Sequence, residues 1–206
     1  METKTKSNRN PAESRRKIVD AAVRLILKQG FPATTVDQIC EAAGCTKGAF
    51  FYHFESKDAM GLAALDAWGS FGTNLYSAAW KEGDGDPLAE IYRLFDIMAD
   101  FTRNEDEPCV CVVGMMSQEM SFVNADMRAS CAGHLGDWTE MMRSRLAAAK
   151  ELKKPTRDFD PEAVAWFLNS LWQGSMLIAK ARNSPGMIRA NLEIARATLD
   201  RLFTKP

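Results

Sequence analysis

The sequence predicts an all-α protein of about nine helices, with a small amino-terminal domain and a larger carboxy-terminal domain. Three observations support this prediction. Apolar residues recur at intervals of three and four along most of the chain, which is the spacing of one helical face. No stretch alternates between apolar and polar residues, and no Asn-Gly or Asp-Gly turn joins two β-branched runs. Proline, glycine and short polar residues separate the periodic segments, as they do where helices start and stop.

The amino-terminal domain is predicted to span residues 1–57 and to contain three helices. Each predicted start has a proline or a threonine that suits the first turn, because these residues tolerate or satisfy free backbone N–H groups. Two of the predicted ends have a glycine, which adopts the backbone conformation of a helix terminus without steric cost. The predicted limits are Pro11 and Gly30 for the first helix, Thr35 and Gly44 for the second, and Thr46 and Tyr52 for the third.

The carboxy-terminal domain is predicted to span residues 58–206 and to contain six helices. A long fourth helix is capped by Ser56 and runs to about Trp80, and the glycine-rich segment 83–87 then interrupts the periodicity. Further proline and asparagine residues separate the later segments. The remaining five helices are predicted near residues 88–103, 110–122, 126–151, 161–183 and 186–203.

Charge is distributed unevenly, with a net +4 over residues 1–57 and −5 over the remainder. A positive domain joined to a negative one suits a module that binds a polyanion, fused to a body that does not bind it. The alternative is that this asymmetry is ordinary variation.

Several function classes lack the residues they need. The five cysteines are irregularly spaced without a CxxC motif, and only two histidines are present, so we predict no metal site and no cofactor. No P-loop, GxGxxG, HExxH or triad pattern occurs, so an enzyme is not expected. No apolar run is long enough to cross a bilayer, and the polar amino terminus does not resemble a secretory signal, so we expect a cytoplasmic protein with no membrane partner.

Residues 34–60 have the anatomy of a helix-turn-helix. The short second and third helices are joined by a Gly44 turn, and the third helix is predicted to bury Phe50 and Phe54. Its other face carries small, polar and basic residues that could enter a DNA groove. The alternative is a helical hairpin that does not bind DNA. The residues predicted on the exposed face are Thr46, Lys47, Gly48, Tyr52 and His53.

The segment Gly44–Lys57, GCTKGAFFYHFESK, resembles the DNA-binding signature of TetR/AcrR transcriptional regulators. The resemblance implies that Thr46, Lys47, Gly48 and Tyr52 face the major groove. It also implies phosphate contacts from three further residues, although the threonine at position 35 could be only a helix cap and the histidine at position 53 a packing residue. Independently of the resemblance, a basic arm could reach a neighbouring groove or phosphates, and the alternative for Lys4 and Lys6 is a solvated tail. At position 51 the chain has phenylalanine where the family usually has tyrosine, so that phosphate contact is in doubt. The phosphate-contacting set is Thr35, His53 and Lys57, and the arm contains Lys4, Lys6, Arg9, Arg15 and Arg16.

The last two helices are predicted to mediate homodimerisation. They are apolar on most faces, so they must bury more than one face. In the family that the chain resembles, the corresponding pair packs against its symmetry mate as a four-helix bundle, which places two DNA-binding heads about 34 Å apart on a palindrome. Burial wholly within one protomer is the alternative. The predicted dimer residues are Trp166, Leu171, Leu177, Ile188, Leu192 and Leu199.

Residues 109–120 and 172–180 resemble one TetR subgroup, which includes the repressor of N-ethylmaleimide reductase and the acrylate-responsive repressors. Cys111, Glu119 and Lys180 fall on that subgroup's pattern. A cysteine at a helix N-terminus beside an ammonium group favours thiolate, the form that reacts with electrophiles and oxidants. The alternative is that Cys111 is a small buried apolar residue.

A non-covalent inducer in an apolar pocket is a second possibility. In either case we predict a DNA-binding regulator, by family default a repressor, whose long fourth helix connects inducer and DNA sites. The alternative is an architectural helix-turn-helix protein without an effector. The residues predicted to line the pocket are Trp68, Phe71, Phe95, Met115, Met116, Trp138, Trp172 and Met176, with Glu119 and Lys180 as polar groups.

Overall fold

The structure is a computed structural model that describes residues 10–81, 85–103 and 109–204. These residues form nine α-helices and no β-strand, which confirms the predicted fold class. Lys4, Lys6 and Arg9 of the predicted arm lie outside the described residues, as do residues 83 and 84 of the predicted break. The helices are α1 (Pro11–Gln29), α2 (Val36–Ala43), α3 (Lys47–His53), α4 (Lys57–Lys81), α5 (Pro87–Asp100), α6 (Val112–Met120), α7 (Ala125–Lys153), α8 (Pro161–Arg182) and α9 (Gly186–Phe203).

Local signals define the first two helices. The Asn10 side chain accepts a hydrogen bond from the Ala12 N–H at 3.1 Å, which caps α1. Thr35 and Gln38 form a reciprocal capping box at the start of α2, so each satisfies a backbone N–H of the other. Gly30 and Gly44 end α1 and α2 with φ of 87° and 63°, conformations that favour glycine. The boundaries of these helices therefore follow from residues adjacent in the chain.

The core of the helix-turn-helix extends beyond its three helices. Ile18 and Ile26 of α1 are fully buried against Ile39 of α2 and Phe50 of α3. The same apolar cluster includes residues of three later helices, so packing crosses the domain boundary predicted at residue 57. That division therefore stays a prediction. The later members of the cluster are Met60, Ala64 and Leu65 of α4, Val112, Val113 and Met116 of α6, and Met127 and Cys131 of α7.

A second apolar cluster unites α5, α7, α8 and α9 in the remainder of the chain. Asn169 of α8 is buried within it and donates hydrogen bonds to the Leu135 carbonyl at 3.0 Å and the Thr139 hydroxyl at 2.8 Å, both on α7. Because a buried amide left unpaired is costly, these bonds favour one register of the two helices. Among the described helices, none combines the length and apolar character needed to cross a bilayer.

Candidate nucleic-acid interface and sensing cavities

Helix α3 presents one open edge to solvent. Its apolar side buries Phe50, whereas Tyr52 is 75% exposed on the opposite side. Gly48 is exposed, and a Cβ atom built there would meet only the Thr46 hydroxyl at 3.8 Å. The protomer's own packing therefore does not require a glycine at this position. A surface without a side chain at its centre is suited to close approach by a base edge or a phosphate.

A charged pair lies at the start of this edge. The Lys47 ammonium is 2.7 Å from the Asp37 carboxylate of α2, and both side chains are largely exposed. Hydrogen bonding to Asp37 raises the pKa of Lys47, so its positive charge persists over the whole working range of pH. An exposed pair of this kind contributes little to stability, so Lys47 can exchange Asp37 for a phosphate or a base at low cost.

The predicted phosphate-contacting residues have contacts of their own within the protomer. The Thr35 hydroxyl caps α2, and the His53 ring packs edge-on against Tyr52 at 4.9 Å between centroids. Lys57 donates to the Pro32 carbonyl at 3.1 Å and lies 4.5 Å from the centre of the Phe31 ring. Burial of this ammonium lowers the pKa of Lys57. The phosphate roles of these residues stay predictions, and for Lys57 such a role competes with the two contacts in the protomer.

The described part of the basic arm begins on α1. The Arg15 guanidinium lies 4.9 Å from the centre of the Phe54 ring, which directs it towards the end of α3. Arg16 is exposed on the same helix. Phe51, the departure from the family pattern, is 53% exposed and packs edge-on against Phe50. A basic and aromatic surface thus surrounds the exposed edge of α3, although a phenyl ring at position 51 has no group to donate to phosphate.

Cys111 lies at the junction of three cavities. It is half-buried at the residue before α6, and its side chain lines cavities of about 90, 130 and 220 Å³. The largest cavity is mostly apolar and includes Trp68, Phe71, Trp172 and Met176 in its wall. The intermediate one includes Met115, Glu119 and Lys180. The predicted sensing residues are therefore brought to two adjoining cavities that share Cys111.

Two residues predicted for the pocket are core residues. Phe95 and Met116 are 2% and 0% exposed and belong to the two apolar clusters rather than to a cavity wall. Helical periodicity identifies the apolar face of a helix, but it does not show which residues of that face line a cavity and which pack against another side chain. The sequence pattern therefore assigned Phe95 and Met116 to the pocket. Trp138 lines the smallest cavity together with Tyr76 and Gln173, which the sequence did not single out. Burial raises the pKa of Tyr76 to about 12, so its hydroxyl remains protonated.

Glu119 contacts the amino-terminal helix-turn-helix domain (the DNA-binding head, residues 10–57). Its carboxylate accepts a hydrogen bond from the Phe31 backbone N–H at 2.8 Å, and Phe31 is itself buried in the turn after α1. A Cβ added to the adjoining Gly30 would lie 2.3 Å from the same carboxylate. Sequence reasoning assigned Glu119 only to the sensing site. No local signal identifies its partner, because the two residues are 88 positions apart.

The predicted dimer residues divide into two groups. Trp166 and Leu177 of α8 are 46% and 50% exposed, and Leu171 is half-buried. The assignment of the α9 residues is wrong, because they point into the second apolar cluster and have no surface to offer a partner. Three further apolar residues that the sequence pattern includes on these helices are exposed. The buried α9 residues are Ile188, Leu192 and Leu199, and the further exposed residues are Phe167, Ile178 and Ile194.

The structure describes all five cysteines of the chain. All five are free thiols. Burial raises the pKa of Cys109 and of Cys131 to about 11, which keeps both protonated near neutral pH.

Among the described residues, no group of three or more histidine, cysteine or acidic side chains could hold a metal ion.

Comparison with known proteins identifies the family. Residues 18–64 match the family described as bacterial regulatory proteins, tetR family, and residues 87–195 match the tetracyclin repressor-like C-terminal domain. The transcriptional regulator AcuR of Cereibacter sphaeroides is 30% identical over 175 residues, covering 82% of this chain and 77% of that protein. The transcriptional repressor DhaR of a Mycobacterium species is 25% identical over 190 residues, covering 92% of this chain and 88% of DhaR.

Solved structures share the fold. The regulatory protein TetR from Rhodobacter sphaeroides is 26% identical, with a TM-score of 0.79, and the match covers 89% of this chain and 97% of that one. The reduced form of NemR from E. coli is 23% identical, with a TM-score of 0.82, and covers 94% of this chain and 98% of that one. The helix-turn-helix, the all-helical body and the matched relatives agree, and the chain belongs to the TetR family of DNA-binding transcriptional regulators.

Proposed function

We propose that this regulator is a homodimeric repressor that leaves its operator when a small electrophile adds to Cys111. The observation that carries the proposal is a continuous connection from this thiol to the DNA-binding head. Cys111 lines three cavities and is the N-cap residue of α6, and Glu119, in the last turn of the same helix, is bonded to the turn after α1. A change at one end of α6 can therefore reach the helix-turn-helix through a single rigid element.

The chemistry is conjugate addition. The Cys111 thiolate attacks the β-carbon of an alkene conjugated to a carbonyl, forming a carbon–sulfur bond while the alkene electrons move to the carbonyl oxygen. Protonation at the α-carbon then completes a thioether. Cys111 directly precedes the first turn of α6, and Lys180 lines the 130 Å³ cavity with it. A helix N-terminus and a nearby ammonium group are surroundings in which reactive cysteines are found.

The adduct would change the operator affinity by altering where α6 can lie. Cys111 borders cavities of about 130 and 220 Å³, which can accommodate a small adduct. An adduct that fits better when α6 has shifted favours the conformation in which the Glu119 contact with the head is changed. Only this difference in fit between two conformations can move the equilibrium.

The test is a gel shift on the intergenic DNA upstream of the regulator, with N-ethylmaleimide as the probe. We expect the reagent to release the natural protein from DNA, with a single adduct on the peptide that contains Cys111. Cys111→Ser should bind the operator and resist release, whereas the control Cys109→Ser should respond normally. Release of the Cys111→Ser variant to the same extent would refute the proposal.

A non-covalent inducer is the second candidate, because the 220 Å³ cavity is lined mainly by aromatic and aliphatic side chains. It would bind Cys111→Ser as well as the natural protein and would quench Trp68 and Trp172 without an adduct. Quenching and release without a change in mass would favour this candidate over covalent addition.

The DNA contacts complete the proposal. Thr46, Lys47, Gly48 and Tyr52 would enter the major groove, and a second protomer packed through the exposed face of α8 would place the second head. Because its proposed target is operator DNA, we also propose that the protein acts in the cytoplasm. Footprinting tests this part: a short palindromic footprint supports an operator-specific dimer, whereas continuous coverage would indicate an architectural protein.

A further inference from the structure

The turn of the helix-turn-helix contains two cysteines that the function proposed above does not use. Cys40 is in α2 and is 5% exposed, and Cys45 is half-buried beside it in the turn before α3. We propose that Cys40 and Cys45 form an oxidisable dithiol site, which a hydroperoxide converts to an intramolecular disulfide that weakens operator binding. This site is independent of Cys111 and of the inducer cavities.

Backbone geometry brings the two cysteines together. The Cys45 N–H donates to the Cys40 carbonyl at 2.9 Å, and the Gly44 N–H donates to the Glu41 carbonyl at 3.2 Å, with Gly44 in the left-handed conformation. This pair of bonds defines a Schellman motif, whose first and last residues make a side-chain contact. Cys40 and Cys45 occupy those two positions.

The separation of the two residues also suits a disulfide. With the hydrogen bond at 2.9 Å, standard bond lengths limit the distance between the two Cα atoms to about 6.8 Å. Native disulfides span about 4.4–6.8 Å between Cα atoms. The Cα separation of Cys40 and Cys45 therefore does not exceed the span of a native disulfide.

The two thiols differ in exposure, and burial changes the pKa of Cys40. Cys45 is the more exposed, so the oxidant reaches it first. Burial raises the pKa of Cys40 to about 11, and the neighbouring Cys45 thiol contributes to the increase, so Cys40 remains protonated while Cys45 reacts. Cys40 is then the resolving thiol, already in place.

Atoms and electrons balance in two steps. The Cys45 sulfur attacks one oxygen of hydrogen peroxide, the O–O bond breaks, and a sulfenic acid and one water are formed. The Cys40 sulfur then attacks the Cys45 sulfur, the S–O bond breaks, and the hydroxyl leaves as water with the Cys40 proton. Two thiols are oxidised to one disulfide, and one peroxide is reduced to two waters.

The disulfide would affect DNA binding because Cys45 directly precedes the cap of α3. The sulfur atoms of a disulfide are about 2.05 Å apart, which is closer than any contact between unbonded thiols. Closure therefore pulls Cys45 and Thr46 towards α2 and shifts the first turn of the recognition helix. Binding constellations tolerate displacements of only about 0.5 Å, so operator affinity should fall.

The experiment uses the full chain. Trypsin releases residues 29–47 as one peptide that contains both cysteines and no other. After treatment with hydrogen peroxide and alkylation, we expect this peptide to be lighter by two hydrogens and to carry no alkyl group. Dithiothreitol should reverse both changes. A peptide that carries two alkyl groups, or a sulfinic acid, after an oxidant dose that modifies other thiols of the protein would overturn the proposal.

The functional readout is operator affinity in the Cys111→Ser background, which removes the proposed inducer thiol. We expect peroxide to lower the affinity at least tenfold and dithiothreitol to restore it. The double variant Cys45→Ser/Cys111→Ser should be insensitive, and the matched control Cys109→Ser/Cys111→Ser should remain sensitive. A disulfide that forms without changing the affinity, or equal loss in the two double variants, would contradict the proposal, and neither result would bear on Cys111.

Discussion

Replacing Glu119 by alanine should weaken the connection between the sensing body and the DNA-binding head. Its carboxylate accepts the buried Phe31 N–H at 2.8 Å, and no other bond to that N–H occurs among the described residues. A hydrogen bond to a charged group contributes about 1.5–3 kcal/mol, and the exposure of Glu119 lets water replace part of it, so we expect a loss of about 1 kcal/mol. For a chain of this length that corresponds to a fall in Tm of about 2–4 °C.

The same free energy limits the effect on signalling. Suppose that the Glu119–Phe31 bond is present in the free protein and absent after modification. Removing this bond should then make the inducer-dependent change in operator affinity smaller by a factor of up to about five. The assay is operator titration with and without N-ethylmaleimide, alongside thermal unfolding. Gln118→Ala is the matched control. Gln118 lines the same cavity, and among the described residues its side chain bonds only to the Gly114 carbonyl in its own helix. Equal Tm and equal inducer response in the two variants would refute the reasoning.

Three further predictions test the head and the dimer. Lys47→Ala should reduce the slope of log operator affinity against log salt concentration by about one, because one phosphate contact is lost. Tm should not change, because the ion pair of Lys47 with Asp37 is exposed. An unchanged slope would show that Lys47 does not contact DNA phosphate. Leu177→Glu should give monomers in sedimentation velocity and lose operator binding, whereas Leu152→Glu, at an exposed residue of α7, should remain dimeric. Gly30→Ala should lower the free energy of unfolding by about 1–3 kcal/mol, because the backbone is at φ 87° and the new Cβ would lie 2.3 Å from the Glu119 carboxylate. Adding Glu119→Ala should recover part of this loss. Strictly additive effects of the two substitutions on the free energy of unfolding would argue against that contact.

Much of the fold could be predicted because its signals are local. The limits of α2 follow from Thr35 and Gly44, which satisfy the ends of that helix with groups next to it in the chain. The exposed and buried sides of α3 follow from helical periodicity, since Phe50 and Phe54 recur four residues apart while Tyr52 lies between them. The pairing of Cys40 with Cys45 is also local, although only the backbone hydrogen bonds of the turn reveal it.

The tertiary structure decided the contacts between distant segments. Helix α9 is apolar enough to suit either a core or an interface, and only the packing of α5 and α8 against it shows that Ile188, Leu192 and Leu199 face inward while Ile194 faces outward. Likewise, a carboxylate on an amphipathic helix has no sequence signal for a partner 88 residues away, so the Glu119 bond to Phe31 could not be predicted. Sequence periodicity determines which residues are buried, because burial depends on the face of each helix. Which residues they contact depends on how the helices pack against one another, and only the tertiary structure shows that packing.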